Sequence, residues 1–378
     1  MSTIIKDIEA IDLLLDTKYD KQLKEIYTKI INSIRISEQE ALTVYKESSL
    51  NTLGILANLI RVRKHGKNTY FNRNIHVEPT NICTYKCKFC SYARTKGDID
   101  AWEYSIDEIL SQIALYANQI TEIHIVGGVH PERDLDFYVN LLSKVREKYP
   151  DIHIKAFTAV ELDYMAKKSG LSVAEAILKL KNVGLDSIPG GGAEIFNDEI
   201  RKVICGSKSN AGKWLEIHEA AHKNGVMSNA TMLYGHIETI ADRINHLSIL
   251  RNLQDRTNGF NAFIPLKYKN SNNELSHIDE VTIIEDLKLF AISRIFLDNI
   301  SHLKAYWPML GKENALLALD FGADDFDGTI LDTTKIYSMA GSKEERPSLL
   351  VDEMVTLLKS ANKIPVERDS LYNKIREM

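Results

Sequence analysis

Apolar positions along the chain follow two rhythms. From residue 71 onward, short apolar runs alternate with longer stretches in which apolar residues recur every three or four positions. The short runs predict strands over 74–78, 122–126, 153–158, 187–189, 227–233, 261–266, 295–299 and 325–330. The longer stretches predict helices over 106–120, 135–148, 173–182, 213–223, 241–256, 283–293 and 312–319. In the first of these, Ile106, Ile109, Ile113 and Ile120 share one face. Eight strands alternating with helices fit an α/β fold, a parallel (β/α)8 TIM-type barrel. An open doubly wound sheet has the same alternation and is the other solution.

The flanks have a different pattern. Residues 1–70 predict an N-terminal helical extension. Ile4, Ile8, Ile11 and Leu15 recur at helical spacing, and Ser37-Glu38-Gln39-Glu40 has the form of a capping box. Leu53, Leu56, Ile60 and Val62 predict a further helix that runs into a basic loop from Arg63 to Lys67. Residues 71–341 form the barrel core in this reading. Residues 342–378 add a helix over 349–361 and a charged tail, packed on the barrel. No internal repeat or low-complexity linker divides the chain.

Composition narrows the class. Hydrophobic residues make up 44% and charged residues 26%, ordinary values for an enzyme that buries a large core. The net charge of -5 and the lack of a basic cluster with interleaved aromatics argue against a nucleic-acid surface. No apolar run approaches the roughly 20 residues needed to span a bilayer. The N-terminus lacks the basic start and apolar block of a secretory signal. Four cysteines in a chain this long do not make a disulfide framework. A reducing, cytoplasmic location is expected.

Three of those four cysteines stand together, in Cys83-Thr84-Tyr85-Lys86-Cys87-Lys88-Phe89-Cys90, spaced C-x3-C-x2-C. They follow the first barrel strand, so they belong to the loops at the C-terminal mouth where barrels keep their chemistry. One reading is an iron–sulfur cluster with three protein ligands and one open iron. A structural zinc site would want a fourth protein ligand, often from a second C-x2-C pair, and none is present. Incidental buried thiols are the third reading. Phe89 and Tyr92 flank the last cysteine as an apolar shield, and Cys205 reads as a buried bystander.

Other polar segments fall at predicted strand ends. Val126-Gly127-Gly128-Val129-His130 permits close backbone approach, as any tight turn would. Pro189-Gly190-Gly191-Gly192-Ala193-Glu194 lacks the endings of a phosphate loop. Leu233-Tyr234-Gly235-His236-Ile237-Glu238 follows the fifth strand. Asp298-Asn299-Ile300-Ser301-His302-Leu303-Lys304-Ala305-Tyr306-Trp307 is expected beside the mouth as a substrate pocket, with Asp325-Phe326-Asp327-Gly328-Thr329 closing it. His218-Glu219-Ala220-Ala221-His222 matches H-E-x-x-H and would make a zinc hydrolase if a third ligand such as Glu238 joined it. Its helix is expected outside the barrel, with Trp214, Ile217 and Ala221 inward, which argues for packing.

The cysteine trio, with an aromatic residue before its third member, resembles the radical S-adenosylmethionine superfamily. Gly127-Gly128 resembles the family's Gly-Gly segment, and Gly235 to Glu238 its Gly-x-x-Glu segment. The resemblance implies that Cys83, Cys87 and Cys90 hold a [4Fe-4S] cluster whose open iron chelates S-adenosylmethionine. It further implies that Gly127, Gly128, Glu194, Gly235 and Glu238 contact that cofactor, and that reductive cleavage gives a 5′-deoxyadenosyl radical. A narrower resemblance covers roughly residues 70–341. Segments 189–196, 231–239, 260–266, 297–307 and 325–329 are similar to the radical enzymes of the futalosine route to menaquinone and their deazaflavin-synthase relatives, most of all the aminofutalosine synthase branch.

That branch implies an adenosyl-group transferase, with S-adenosylmethionine as co-substrate. The partner substrate is an aryl enolpyruvyl ether, 3-[(1-carboxyvinyl)oxy]benzoate, and the product forms with rearrangement and decarboxylation. Candidate catalytic residues are His236, His302 and Lys304. Candidate substrate contacts are Tyr234, Phe263, Asn299, Lys304 and Trp307. A low-potential flavodoxin or ferredoxin is the implied electron donor. The alternatives are the cyclising enzyme of the same route, a deazaflavin synthase subunit and, from another class, a non-catalytic iron–sulfur redox protein.

Overall fold

The computed structural model describes residues 20–329, 335–341 and 348–378. A short strand, β1 (Asn68–Asn72), precedes a row of seven parallel strands in chain order: β2 (Asn74–Val77), β3 (Glu122–Ile125), β4 (His153–Ala156), β5 (Ser187–Ile188), β6 (Met227–Tyr234), β7 (Phe260–Lys267) and β8 (His302–Leu303). β9 (Asp325–Gly328) extends the row through one parallel bridge, Lys304 to Asp325. Asn74 N also donates to Thr329 Oγ1 at 3.4 Å, which brings the end of β9 beside the start of β2. The row therefore curls back on itself as a barrel whose last seam is held by single bonds instead of a full ladder.

The strands are buried on nearly every residue, with apolar side chains alternating with polar ones along β2, β3 and β4. The helices that return the chain begin with sequence-encoded caps. Ser105 with Glu108, Thr158 with Glu161, Ser172 with Glu175 and Thr239 with Asp242 each form a reciprocal capping box. The predicted helices at 135–148 and 173–182 are found at Leu135–Lys148 and Val173–Asn182.

The extension forms helices Lys21–Ile31, Glu38–Glu47 and Leu50–His65, the second opened by the Ser37–Glu40 capping box. Arg35 ties it to the barrel by bridging Asp255 at 2.6 Å and Asp298 at 2.8 Å. The expected helix through Ile4, Ile8, Ile11 and Leu15 lies outside the described residues.

Several expectations need correction. The apolar run 295–299 is not a strand. Helix Ile283–Phe296 runs into its first two residues and a turn follows, so the seventh strand comes later, at His302–Leu303. That helix is buried on nearly every side after Asp286, so its periodicity is hidden. Helix 106–120 stops at Ala114, with a separate 3-10 turn at Ala117–Gln119. Helices Ala159–Lys168 and Asp198–Cys205 were not expected. The charged tail is not loose. β10 (Ile364–Arg368) pairs in parallel with β1, and β11 (Lys374–Glu377) pairs antiparallel with β10, giving a second sheet of order β11-β10-β1-β9. No helix among the described residues is long and apolar enough to cross a membrane.

Candidate active site

One cavity of about 380 Å³ opens among the C-terminal strand ends and reaches down into the barrel. The loop leaving β2 folds across its rim. Cys83 N donates to Arg94 O at 3.0 Å, Thr84 N to Val129 O at 2.9 Å and Lys88 N to Ile204 O at 2.8 Å. These bonds fix the loop without using the thiols. Cys83, Cys87 and Cys90 are half-buried and line the cavity together with Tyr85, Phe89 and Tyr92.

The three thiols supply one ligand fewer than a structural zinc site takes. A tetrahedral zinc would draw them to within about 3.8 Å of one another. Among the described residues, the one group of three such side chains whose ligand atoms all lie within 4.8 Å is His65, His302 and Asp324. A wider set of three thiols, with no fourth protein ligand, fits a multi-iron cluster better. Burial raises the Cys83 thiol and pushes Cys87 up to about 12. Iron would reverse that by binding the thiolate form.

Gly127 and Gly128 also line the cavity. A Cβ on Gly128 would come within 2.4 Å of Ile82 O, and one on Gly127 within 2.8 Å of Thr80 O. Glycine is thus required so that this turn can lie directly against the cysteine loop. Both amides are engaged, Gly128 N with Thr80 O at 2.7 Å and Gly127 N with Glu161 Oε1 at 3.3 Å. Any contribution to an ammonium group falls to their carbonyls. Glu161 is buried, and desolvation raises its carboxyl to about 7. Sequence reasoning missed it, although Thr158 three residues earlier marks it as a capping residue.

Glu194 reaches the cavity from the loop after β5, with a left-handed φ of 47°. It pairs with Lys208, whose ammonium sits 5.2 Å from the Phe89 ring. Lys304 reaches the cavity from the end of β8 and pairs with Asp327.

The other expected contacts do not line the cavity. On β6, Asn229, Thr231 and Leu233 face inward, so the two-residue period turns Tyr234 outward. Tyr234 is fully buried and donates to Asp286 Oδ1 at 2.8 Å. On β7, Ile264 and Leu266 face inward, which turns Phe263 into the outer core. Gly235, with φ of 90°, and His236 are held by Glu238, which accepts from Gly235 N at 2.6 Å and His236 N at 2.9 Å. Arg243 Nε also donates to Glu238 at 2.8 Å. Glu238 therefore staples the segment from outside the cavity lining.

Asn299 and His302 lie at the opposite end of the barrel, because the true β8 starts only at His302. Asn299 donates to Arg251 O at 2.8 Å and Asp255 Oδ1 at 2.7 Å. His302 stacks on Tyr372 at 3.7 Å and bonds Asp324 at 2.6 Å. Trp307 is buried against Gly328 O at 3.0 Å, while its neighbour Tyr306 lines the cavity.

The barrel floor carries polar residues that sequence reasoning left out. His76, Glu122, His124 and Lys155 point inward from β2, β3 and β4. Lys155 Nζ donates to Glu122 at 2.6 Å, and His124 Nδ1 lies 3.2 Å from His76 Nε2. The available signal was polar residues at alternate positions inside otherwise apolar strands.

The H-E-x-x-H segment is structural. His218 stacks on Trp214 at 3.7 Å, and both histidines meet Ser228 Oγ at 2.8 Å on the outer face of β6. Glu219 instead pairs with Lys223 at 2.9 Å and Arg256 at 3.3 Å. Burial keeps His218 and His222 neutral, the latter lowered to about 4.

Residues 77–250 match the Radical SAM superfamily, and residues 257–377 match the CofH/MqnC C-terminal region. An aminodeoxyfutalosine synthase of Thermus thermophilus is 42% identical over 94% of this chain and 97% of its own. The chain belongs to the radical SAM superfamily. It is accordingly an enzyme whose cofactors are a [4Fe-4S] cluster and S-adenosylmethionine. Another aminodeoxyfutalosine synthase, of Streptomyces coelicolor, is 36% identical over 94% of each chain. A cyclic dehypoxanthine futalosine synthase from the same organism is 38% identical over 90% of this chain and 86% of its own. Among solved structures, methylornithine synthase superposes with a TM-score of 0.72 at 15% identity, over 90% of this chain and 97% of its own. The FeFe-hydrogenase maturase HydG from Carboxydothermus hydrogenoformans has a TM-score of 0.72 at 16% identity, over 98% and 85%. Those two bear on the fold alone.

Proposed function

We propose that the protein is an aminodeoxyfutalosine synthase of menaquinone biosynthesis, acting on 3-[(1-carboxyvinyl)oxy]benzoate in the cytoplasm. The observation that carries the reading is a single cavity with three thiols at its rim and a polar floor beneath them. The full-length likeness to the Thermus thermophilus enzyme favours adenosyl transfer over cyclisation.

In this reading Cys83, Cys87 and Cys90 hold the cluster and leave one iron for the amino and carboxylate groups of S-adenosylmethionine. When bound and reduced, the pair supplies the 5′-deoxyadenosyl radical that adds to the enol double bond. Gly127 and Gly128 offer carbonyls to the N–H groups of the methionine amine. Glu194, fixed by Lys208, accepts from the ribose hydroxyls. Leu233, Ile264, Leu266 and Tyr306 form the apolar wall for the aryl ring, in the role expected of Tyr234, Phe263 and Trp307. Lys304 brings positive charge to the substrate's carboxylates. Walls of this kind keep water from a reactive intermediate. Exposed Lys86 and Lys88, which flank Cys87, suit an acidic flavodoxin or ferredoxin as electron donor.

Anaerobic incubation with reductant, S-adenosylmethionine and the aryl ether tests the reading by mass spectrometry. An adduct carrying the adenosyl group, with loss of carbon dioxide, is expected. Free 5′-deoxyadenosine together with a cyclised futalosine product would replace it with the cyclising activity.

A further inference from the structure

The deep end of the cavity holds a polar side chain that no described residue satisfies. Asn229 stands third in β6, lines the cavity and is 5% exposed. Its side-chain amide makes no hydrogen bond with any described residue. The polar groups around it do have partners. Lys155 pairs with Glu122, Lys304 with Asp327, and Thr231 Oγ1 donates to Gly190 O at 2.6 Å. His124 Nε2 and Asp327 Oδ2 also lack partners, but both are sealed inside the wall. The Asn229 amide is not sealed and opens on the cavity.

The neighbouring strands explain why. On one side, the register partner of Asn229 is Ala262 of β7. On the other side, the chain leaving β5 runs through Gly190, which has no side chain to offer. The Gly190 backbone lies so close that a Cβ there would come within 2.6 Å of Asn229 O. A methyl group on one flank and bare backbone on the other give the amide nothing to bond. They also leave it room to meet a ligand.

Depth selects the ligand. A strand rises about 3.3 Å per residue, so Thr231 and Leu233 stand about 7 and 13 Å nearer the mouth on the same face. Ile264 and Leu266 of β7 climb beside them as their register partners. The cysteines lie at the rim, above this wall. A radical formed there meets the enol double bond at the rim end of the co-substrate. The aryl ring then lies along the wall, and its carboxylate is the group that reaches Asn229. A neutral amide suits that group. Its N–H donates to a carboxylate oxygen without adding charge where the lysines and carboxylates are already paired. A ring that lacks the carboxylate strips water from the amide and offers no acceptor in return.

We infer that Asn229 is a specificity residue for the aryl co-substrate, its side-chain N–H donating to the ring carboxylate. This rests on the proposed function. The contact holds the ring at the deep end and turns the enol ether toward the cysteine rim.

Calorimetric titration of the reconstituted enzyme, with S-adenosylmethionine and no reductant, tests this without turnover. The two probes are 3-[(1-carboxyvinyl)oxy]benzoate and 2-phenoxyacrylate, the same enol ether without the ring carboxylate. A hydrogen bond to a charged group corresponds to about ten- to hundredfold in affinity, so the parent enzyme should prefer the first probe by at least about tenfold. Asn229→Leu keeps the bulk and removes the donor, and Asn229→Ala removes both. Each should weaken the ring-carboxylated probe by about tenfold or more and change 2-phenoxyacrylate by less than about threefold. Equal loss for both probes marks Asn229 as a packing residue and overturns the inference. So does a preference that survives both substitutions, and so does equal binding of the two probes by the parent enzyme. The proposed reaction stands in each of these cases. If the parent enzyme binds neither probe, the proposed reaction falls and the inference falls with it. The comparison of probes on the parent enzyme needs no variant to fold.

Discussion

At the residue scale the cysteines separate by position. Cys83, Cys87 and Cys90 reach the cavity, while Cys205 is buried in helix Asp198–Cys205. Alanine at any of the first three should abolish the visible absorption of the reconstituted cluster, and Cys205→Ala should retain it. Glu161 gives a second prediction. It is buried, and its carboxyl is raised from 4.5 to about 7 by desolvation. The folded state therefore binds a proton that the unfolded chain has already lost over that interval. Stability should fall as pH rises from 4.5 to 7, by up to about 3 kcal/mol, and level off above. Urea unfolding at pH 5 and pH 8 should show this difference, and Glu161→Gln should reduce it.

At the scale of elements, the two-residue period of the strands decides which side chains meet a ligand. Asn229, Thr231 and Leu233 face the cavity, while Ser228 and Tyr234 face the helices. This alternation explains why Tyr234 and Phe263, expected as substrate contacts, are core residues. It also explains the histidine pair on helix Ala211–Lys223, which serves Ser228. His218→Gln with His222→Gln should leave the iron content and S-adenosylmethionine cleavage of the reconstituted enzyme unchanged. The cost should be about 1–3 kcal/mol of stability from lost buried hydrogen bonds, read by denaturant titration. The displaced seventh strand has a related cause. A fully buried helix and a buried strand have the same apolar composition, and only neighbours distinguish them. Once 295–299 is taken as a strand, Asn299 and His302 move to the wrong end of the barrel.

At the scale of the whole molecule, the C-terminal strands complete the barrel. Arg368 Nε binds Asp325 at 2.6 Å, and both groups are buried. Asp325 is bridged to Lys304 and orients the Asp327 amide. Arg368→Ala leaves a buried carboxylate unpaired, so it should cost about 3–5 kcal/mol in urea unfolding. It should also weaken binding of the proposed aryl ether, because Asp325 orients Asp327, the partner of the cavity-lining Lys304. Arg376, half-exposed on β11, should tolerate alanine with little change.

The sequence by itself determined the alternation of strands and helices, most helix starts, the cysteine trio and the glycine turns. Each of these rests on local chemistry: periodicity, capping side chains, ligand spacing and backbone freedom. Tertiary structure decided which face of each strand looks inward, where the seventh strand begins and how the tail closes the second sheet. It also decided that His76, Glu122, His124, Lys155, Lys304 and Asp327 meet on one floor. Those residues come from β2, β3, β4, β8 and β9, far apart in the chain. Barrel closure is what brings them within reach of one another, and no local pattern encodes it.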